Sequence, residues 1–487
     1  MMMKQNLSMK KYLCCIQKLS QTGALLLAIF AIFMVLGCSG NKAKKAWNEA
    51  SNILASISEP EFKEQTYIIT DFGASPGTNI MNTDAINHAI NFCSAEGGGI
   101  VLVPDGVFFT GPLELKSNVR LHLSDNATLS FSTNPKDYLP VVYTRWEGID
   151  CYNYRPLIYA NQARNIAITG KGLLKGNAST DNWWKWKGRT EYGWVEGEPS
   201  QLLPQGRPLL DAYNKNRTPV NERIMGEGAY LRPQFINFVN CQSVLLSDFT
   251  IENSPFWVIH PLFCENVIVR GLHINSLGTN NDGFDPESCK NVLVEKCYFN
   301  TGDDCIAIKS GRDDDGLEAN IPSENIIVRN CFMENGHGGV VMGSEISGGI
   351  RNIFVENCEM DSPELDRAIR FKTNSNRGGV TGNVFVRNLK IGQVKEAIMR
   401  IDCVYDIKNE GTGQRIPIME NIYLDNVECS RSKYALLIEG IDGQDCVRDI
   451  VVSNSNFSGV EKGNNVRFAR NVQLKNVTIN GQSGSLE

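Results

Sequence analysis

One short pattern recurs along most of this chain and constrains its fold more than any other feature. It is an Asn (occasionally Ser or Asp), an apolar residue, any residue, an apolar residue, two polar residues and usually a further apolar residue. Neighbouring copies in the second half of the chain are 22 to 38 residues apart, so each unit has a fixed part and a variable loop. The copies begin at Asn165, Ser243, Asn266, Asn291, Asn325, Asn352, Asn383, Asn421, Asp449 and Asn471.

The apolar residues inside each copy alternate, which indicates a β-strand with one buried face. Units of this length, rich in Val and Ile and without long helical patterns, are typical of the coils of a parallel β-helix. Each coil of such a solenoid buries its apolar face only against its neighbours. The sequence therefore predicts an all-β fold, a single parallel β-helix over residues 67–487.

The first and seventh positions of the repeat carry further information. The Asn side chains at the first position should stack along the axis as a ladder of amide hydrogen bonds. At the seventh position cysteine alternates with other apolar residues, so it acts as a small buried apolar residue and we expect free thiols rather than disulfides. The residues in this position are Leu272, Cys297, Cys331, Cys358, Leu389, Val427 and Val477.

The first 38 residues have the features of an export signal. Lys10 and Lys11 precede a short apolar run, Ala24–Leu36, which is followed by Gly37 and Cys38. The run is shorter than the roughly 20 residues that a membrane span needs. The order Leu-Gly-Cys resembles a bacterial lipobox, which would make Cys38 a lipidated first residue; an ordinary signal peptide is the alternative. We therefore expect an exported protein, lipid-anchored to the bacterial cell envelope, with residues 39–66 as tether.

Two segments interrupt the strand pattern. Asp84–Cys93 has apolar residues at helical spacing, with Thr83 or Asp84 as the expected N-cap, and such a helix would cover the open end of the solenoid. Residues 181–232 form a long insertion that contains several tryptophans. Long insertions in a regular scaffold are often functional, and these aromatic rings are expected either to stack on sugars or to anchor the insertion on the coils.

The overall charge excludes one class of partner. The net charge is −6, with both signs interspersed, whereas nucleic-acid binding requires a basic face. The five histidines are scattered and no Cys or His spacing fits zinc, so neither a metal nor a cofactor is expected. We expect a monomer.

Six charged side chains follow the first-position Asn of their coils at similar distances in sequence, on four consecutive coils. Coils stack about 4.8 Å apart, so these groups would form a strip roughly 15 Å long on one face. The strip contains three carboxylates, one imidazole and two cations: Asp282, Asp303, Asp304, His337, Arg370 and Lys372.

This combination suits hydrolysis of a glycosidic bond in an acidic sugar. The reaction needs one protonated carboxyl to protonate the leaving oxygen and one carboxylate to activate water or attack the sugar. Neighbouring carboxylates raise one another's pKa, which keeps one of them protonated near neutral pH. Arg370 and Lys372 are two residues apart on a strand, point to the same side, and could bind a sugar carboxylate.

The segments that carry these residues resemble the ordered motifs of the polygalacturonase family, glycoside hydrolase family 28. They are Asn280-Asn281-Asp282, Gly302-Asp303-Asp304, Gly336-His337-Gly338 and Arg370-Phe371-Lys372. Asn281 replaces the usual Thr and Phe371 the commoner Ile, both mild changes. The resemblance covers roughly Tyr67 to the C-terminus. It implies a right-handed parallel β-helix that hydrolyses α-1,4-galacturonosyl bonds with inversion, with galacturonate-containing polysaccharide or oligosaccharide as substrate.

The same resemblance implies a role for each residue. Asp303 would be the general acid, Asp282 and Asp304 would activate the water, and His337 would tune the acid. Arg370 and Lys372 would bind the galacturonate carboxylate, together with Tyr405 as a further cleft residue. Inversion is expected to separate the carboxyls by about 6.5–9.5 Å.

Three alternatives remain open at this point. A pectate lyase could share the fold and the acidic substrate, and a non-catalytic carbohydrate-binding solenoid could use the same Asn ladder. Within the hydrolase interpretation, cleavage could be internal or from the chain end. The insertion 181–232 and the segment that begins at Arg145 could wall off one end of the cleft, as similar segments do in exo-acting bacterial members, so exo action is the hypothesis.

Overall fold

The structure, a computed structural model, describes residues 42–486, and its main feature is a right-handed parallel β-helix. Each complete coil contributes up to three short strands, and strands of successive coils pair in parallel to form three ladders. The first ladder consists of Thr66–Ile68, Gly99–Val103, Val119–Leu123, Arg164–Gly170, Gln242–Ser247, Glu265–Arg270, Lys290–Glu295, Ser323–Arg329, Ile350–Glu356, Val380–Gln393, Ile418–Arg431, Val447–Phe457 and Arg470–Ile479.

Within each coil, a short turn joins the strand of the first ladder to the strand of the second. In the last coils a single long strand occupies both places, so the two ladders merge there. The separate strands of the second ladder are Gly106–Thr110, Ala127–Phe131, Leu173–Lys175, Thr250–Glu252, His273–Ser276, Tyr298–Thr301, Phe332–Met333 and Glu359–Met360. The third ladder consists of Leu113–Glu114, Ile158–Asn161, Ile236–Val239, Ile259–Leu262, Ile306–Ile308, Val340–Gly343, Arg367–Lys372, Ala397–Asp402, Tyr434–Glu439 and Asn465–Arg467.

The Asn at the first position of the repeat has two structural functions. Its backbone is left-handed in copy after copy, with φ of 57° at Asn266 and 59° at Asn325. Asn adopts this conformation more readily than other non-glycine residues. Its side chain also bonds along the axis: Nδ2 of Asn325 donates to Oδ1 of Asn291 over 3.0 Å, and Asn352 donates to Asn325 over 3.1 Å. The predicted Asn ladder is confirmed, and the backbone turn explains why the ladder is made of Asn.

The seventh position of the repeat lies inside the solenoid, as predicted. The thiols of Cys297, Cys331 and Cys358 are free and buried in the main hydrophobic core, beside the Leu and Val residues of the same column. The Sγ atom of Cys297 donates to the carbonyl of Glu295 over 3.3 Å, and Cys331 and Cys358 make equivalent bonds of 3.4 Å. The free-thiol prediction is therefore confirmed for these three.

A helix closes the N-terminal end of the solenoid, as the sequence predicts, although its start differs. It spans Thr83–Ala95 and packs against the first coils with Ile86, Ala89, Ile90 and Cys93 buried. The expected N-cap, Thr83 or Asp84, is wrong: the N-cap residue is Asn82. The Asn82 side chain makes no capping bond, because its Oδ1 accepts from the backbone N–H of Ser75 over 2.7 Å.

The remaining elements are short and lie mostly in loops. An antiparallel hairpin pairs Val142–Trp146 with Ile149–Asn153, and Gln482–Ser483 pairs antiparallel with the last long strand. The α-helices among them are Arg207–Lys215, Asp313–Ala319 and Ile407–Glu410. The 3₁₀-helices are Ile69–Phe72, Pro135–Tyr138, Trp184–Lys187, Thr190–Tyr192 and Val220–Glu222.

The chain divides into two compact units between residues 52 and 53. Residues 42–56, within the segment expected to be a plain tether, are helical. Within residues 42–486 no helix is long and apolar enough to cross a membrane. The predicted lipidation residue, Cys38, lies outside the described residues, so its modification stays a prediction.

The tryptophans at the start of the insertion hold it on the coils. The Trp183 ring is 1% exposed and packs edge-on against Tyr138 and Trp186, with ring centroids 5.7 and 4.9 Å apart. The Trp184 Nε1 donates to the carbonyl of Ser254 over 2.9 Å. Of the two expected functions for these rings, anchoring of the insertion agrees with the contacts.

Candidate active site

The third ladder positions the predicted site residues. Phe284 forms isolated bridges with Ile259 and with Ile306, so the segment carrying Asp282 and the strand after Asp304 lie on neighbouring coils. Two coils further on, the strand Arg367–Lys372 supplies Arg370 and Lys372, whose register partners are Val341 and Gly343. The shared ladder therefore brings together residues that are up to 90 positions apart in sequence.

These residues border a cavity of about 1060 Å³ on the outside of the coils. This volume is at the upper end of the range for ligand pockets, large enough for more than one sugar residue. Six of the seven predicted residues line it: Asp282, Asp303, His337, Arg370, Lys372 and Tyr405. The seventh, Asp304, is fully buried directly beneath them.

The three aspartates form a tight group. One carboxylate oxygen from each lies within 4.8 Å of one from each of the others. The closest oxygens therefore lie nearer to one another than the separation of about 6.5–9.5 Å expected between the carboxyl groups. Two oxygens 4.8 Å apart can both hydrogen-bond a single water about 2.8 Å from each. The group therefore has the size to hold one water between carboxylates.

Asp304 accepts hydrogen bonds from both predicted sugar-binding cations. Lys372 Nζ donates to its Oδ2 over 2.6 Å, and Arg370 Nη1 donates to its Oδ1 over 3.3 Å. Burial would raise the pKa of Asp304, but the charges of Lys372 and Arg370 outweigh it and lower that pKa. The Tyr405 ring lies under both cations, 5.4 Å from the Arg370 guanidinium carbon and 5.5 Å from Lys372 Nζ. Tyr405 therefore lies in the cleft beside the two cations, where the resemblance places a further cleft residue.

Asp303 is paired with His337. The His337 Nδ1 lies 3.1 Å from the Asp303 Oδ1, and the His337 side chain is half exposed to the cavity. Burial would raise the pKa of Asp303, but the imidazolium outweighs it and holds that pKa well below its usual range. The charge of Asp303 in turn raises the pKa of His337 to about 9. In the unliganded protein this pair is an imidazolium–carboxylate pair at neutral pH.

The pKa of Asp282 is raised, whereas the pKa of Asp303 is lowered. Burial, followed by the negative charge of Asp303, raises the pKa of Asp282 to about 8. The unliganded enzyme therefore holds a proton on Asp282 at neutral pH, whereas the family resemblance assigns the acid function to Asp303. Because their oxygens lie within 4.8 Å, the two carboxyls are close enough for a single water to bridge them.

Sequence reasoning missed a second layer of charged residues beneath Asp282. Lys309 is almost fully buried, with its Nζ 3.2 Å from Glu345, 3.5 Å from Asp285 and 3.7 Å from Asp282. The same Nζ lies over the Trp257 ring, 4.5 Å from its centroid. The sequence places Asp285 three residues after Asp282 and Lys309 five residues after Asp304. A Lys on a strand is usually interpreted as a solvated side chain, so neither residue was predicted to belong to the site.

The donor set favours proton transfer over metal binding. Three carboxylates this close could geometrically hold a cation. Two of them are otherwise engaged: Asp304 accepts from Lys372 and Arg370, and Asp282 is protonated at neutral pH because its pKa is about 8. Metal binding would have to displace both the cations and the proton.

Comparison with known proteins agrees with this geometry. A family model described as Glycosyl hydrolases family 28 matches residues 215–484, which include all three aspartates and the cations beside them. The chain belongs to glycosyl hydrolase family 28. This family member is therefore a glycosidase, as the motifs predict.

Relatives of this family 28 glycosidase include exo- and endo-acting enzymes. A hyperthermoactive exopolygalacturonase from Thermotoga maritima is 42% identical, with 90% of this chain and 96% of that chain covered and a TM-score of 0.86. An exo-poly-alpha-D-galacturonosidase from Dickeya chrysanthemi is 29% identical over 86% of this chain and 71% of its own length. An endo-polygalacturonase from Pectobacterium carotovorum is 25% identical over 90% of this chain and 98% of its own length.

Proposed function

We propose that this glycosidase is an exo-acting polygalacturonase, which removes units from the end of an α-1,4-linked galacturonate chain. The observation that carries the proposal is the placement of Arg370 and Lys372 beside the three aspartates, in one cavity. A glycosidase of neutral sugars has no need for two cations at the reacting bond, whereas a galacturonate carboxylate is matched by Arg and Lys donors.

In the proposed reaction, the bridging water relays the proton of Asp282 to Asp303 when substrate enters. Asp303 then donates that proton to the glycosidic oxygen, and the C–O bond to the leaving sugar breaks. The newly ionised Asp282, with Asp304 close by, accepts a proton from a water whose oxygen bonds to the anomeric carbon. Bond cleavage and attack on opposite faces give inversion. At the end of the cycle Asp303 is ionised and Asp282 is protonated, as at the start, and the charge of His337 stabilises the ionised Asp303.

Exo action is supported by what closes the cavity. Residues of the insertion contribute Lys187, Tyr192 and Gln201 to the lining, and the hairpin after Arg145 contributes Glu147. Lys187 bonds to Asn280 on the coil of Asp282, which precedes the coil of Asp303 and Asp304, so the insertion covers that end of the cleft. A wall on one side stops a chain from running through the cleft. The Thermotoga and Dickeya relatives, both described as exo-acting, agree with this proposal.

Product analysis on polygalacturonate tests the proposal. Wild-type enzyme should release galacturonate or a short oligomer from the start, with little early loss of viscosity, and Asp303→Asn should be inactive. Rapid loss of viscosity would show internal cleavage instead. Unsaturated products that absorb in the near ultraviolet and disappear with a chelator would show a lyase. Hydrolysis of neutral polysaccharides with no action on polygalacturonate would refute the substrate.

We also propose that the protein is exported and anchored by a lipid on Cys38 in the bacterial cell envelope, and that it acts as a monomer. The support is the charged, apolar and Leu-Gly-Cys order of the first 38 residues. Metabolic labelling with a radioactive fatty acid should label the wild type and leave Cys38→Ala unlabelled. Label on the Cys38→Ala protein, or none on either, would refute the anchor, and light scattering on the protein from residue 39 onward tests the monomer.

A further inference from the structure

A lysine of the insertion reaches into the cavity from the side opposite Arg370 and Lys372. Lys187 ends the 3₁₀-helix Trp184–Lys187, which is fixed on the coils by the bond from Trp184 Nε1 to the Ser254 carbonyl. The Lys187 Nζ donates to Oδ1 of Asn280 over 2.7 Å, and both side chains line the cavity. The position of the ammonium group is therefore determined by a rigid contact rather than by a mobile loop.

A second cation converges on the same oxygen from below. Arg232 is fully buried, and its Nη2 donates to Oδ1 of Asn280 over 2.9 Å. Its Nη1 donates to the backbone carbonyls of Pro255 and Thr279, over 3.1 and 2.7 Å. Because two cations bind the oxygen of the Asn280 amide, its Nδ2 group is oriented away from them, and it makes no hydrogen bond within residues 42–486.

These two cations do not pair directly with a carboxylate, unlike other buried cations of this protein, although the charge of Glu147 acts on both and offsets part of their burial. Arg145, for example, pairs with Glu287 over 3.1 Å, and Arg223 pairs with Asp315 over 2.5 Å. In the part of the chain that the structure describes, no carboxylate oxygen lies within 4.0 Å of Lys187 or Arg232. Partly buried charge without a counter-charge is costly, so the site gains from any anion that enters it.

The electrostatics of both groups show that cost. Burial lowers the pKa of Lys187 to about 8 and the pKa of Arg232 to about 10. A carboxylate bound at Lys187 would offset these shifts, because an opposite charge nearby favours the charged form. The site is therefore set up to bind an anion more strongly than a solvated lysine would.

The location relative to the aspartates defines which part of a substrate the site would meet. Asn280 belongs to the coil of Asp282, and Arg370 lies three coils further along, a distance of about 14 Å at 4.8 Å per coil. Asp303 and Asp304 lie on a coil between the two sets of cations, and Asp282 lies on the coil of Asn280. A galacturonate chain that crosses the catalytic centre would present carboxylates of different sugar units to the two ends.

We propose that Lys187 and the Asn280 amide form a second carboxylate-binding subsite, which takes a galacturonate unit on the other side of the scissile bond from Arg370 and Lys372. Arg232 positions Asn280 and adds positive charge without touching the substrate. The proposal rests on the proposed function, since it requires a substrate with a carboxylate on each of two units.

The first experiment compares Lys187→Met with Lys185→Met on trigalacturonate. Lys185 lies on the same 3₁₀-helix, but its Nζ pairs with Glu198 over 3.0 Å and does not line the cavity. A charged hydrogen bond lost from the substrate complex should lower kcat/KM of Lys187→Met by about 10- to 100-fold. Lys185→Met should keep the wild-type value, and both variants should keep the wild-type melting temperature.

The second experiment removes the charge from the substrate instead of the protein. Trigalacturonates carrying a single methyl ester, one for each of the three units, are assayed with wild type and Lys187→Met. For one ester, wild type should lose about the same 10- to 100-fold, and Lys187→Met should lose no more than twofold. A loss in wild type that disappears in Lys187→Met shows that Lys187 contacts the esterified carboxylate. A structural effect of the substitution would not remove the loss caused by the ester.

The outcomes separate the two proposals. If wild type does not hydrolyse trigalacturonate or polygalacturonate, the proposed function fails. If wild type hydrolyses trigalacturonate and Lys187→Met has the same kcat/KM, the subsite is refuted and the function stands. The subsite is equally refuted if every ester slows wild type and Lys187→Met by the same factor.

Discussion

Replacing Lys309 by Met should shift the pH dependence of catalysis in a defined direction. Lys309 Nζ lies 3.7 Å from the Asp282 carboxylate, and its charge lowers a pKa that burial and Asp303 have raised to about 8. In the proposed mechanism activity needs the proton on Asp282, so kcat/KM falls as pH rises through that pKa. Without the lysine charge, the pKa rises further and activity should persist to higher pH.

The size of the shift follows from the distance. Two unit charges 3.7 Å apart interact by about 4.5 kcal/mol at an effective dielectric constant of about 20. This corresponds to about 3 pKa units and sets an upper limit, because Glu345 and Asp285 share the same lysine. We expect the alkaline limb of the kcat/KM profile on trigalacturonate to move up by about one to three pH units.

The same substitution should also cost stability. It leaves Glu345 without its cation in a buried site, and breaking such a pair costs about 3–5 kcal/mol. Urea unfolding at neutral pH measures this loss. Lys290→Met is the matched control: Lys290 is half exposed and 3.5 Å from Glu324, a surface pair that contributes about 0–1 kcal/mol. A folded Lys309→Met enzyme whose alkaline limb is unchanged, or moves to lower pH, would refute the proton-storing role of Asp282.

Three further predictions concern other parts of the molecule. His337 has a pKa raised to about 9, so its pairing with Asp303 stabilises the fold fully below its unfolded pKa of about 6.5 and is lost as pH rises through 9. Unfolding free energies of His337→Gln measured across this window should lack that decline, and an unchanged slope would contradict the pairing. Trp183→Ala should lower unfolding stability by about 3–5 kcal/mol in denaturant titrations, because the buried ring anchors the insertion; a loss below about 1 kcal/mol would argue against anchoring. Asn325→Ala should destabilise more than Asn325→Gly, by about 1–2 kcal/mol in the same assay, because φ there is 59°; equal losses would leave only the side-chain ladder as its role.

The fold was predictable because two independent features of the repeat specify it. Alternating apolar residues specify the strands, and an Asn such as Asn325 specifies both the left-handed turn before each strand and a bond to the next coil. Cysteine in the seventh position was correctly read as a core residue for the same reason: its column also contains Leu and Val. The N-cap of the helix Thr83–Ala95 was missed because the Asn82 side chain bonds to Ser75 instead of the helix.

The candidate site was predictable only in part. Counting from the first-position Asn residues places Asp303 and His337 on adjacent coils, since the ladder holds each copy in register. The counting gives no information on spacing within a coil, so it did not predict that oxygens of the three carboxyls lie within 4.8 Å of one another. It also gives no information on burial, which is why the partners of Lys309 went unnoticed and why the raised pKa of Asp282 was not predicted.

The sequence by itself determined the solenoid, the strip of aspartates and cations, and the family resemblance, because each depends on residues at regular intervals along the chain. The tertiary structure decided how close the carboxyls lie, which of them keeps a proton, and that Lys187 and Arg232 meet at Asn280. These properties depend on distance and on exclusion of water, and both arise only when loops of irregular length fold back over the coils.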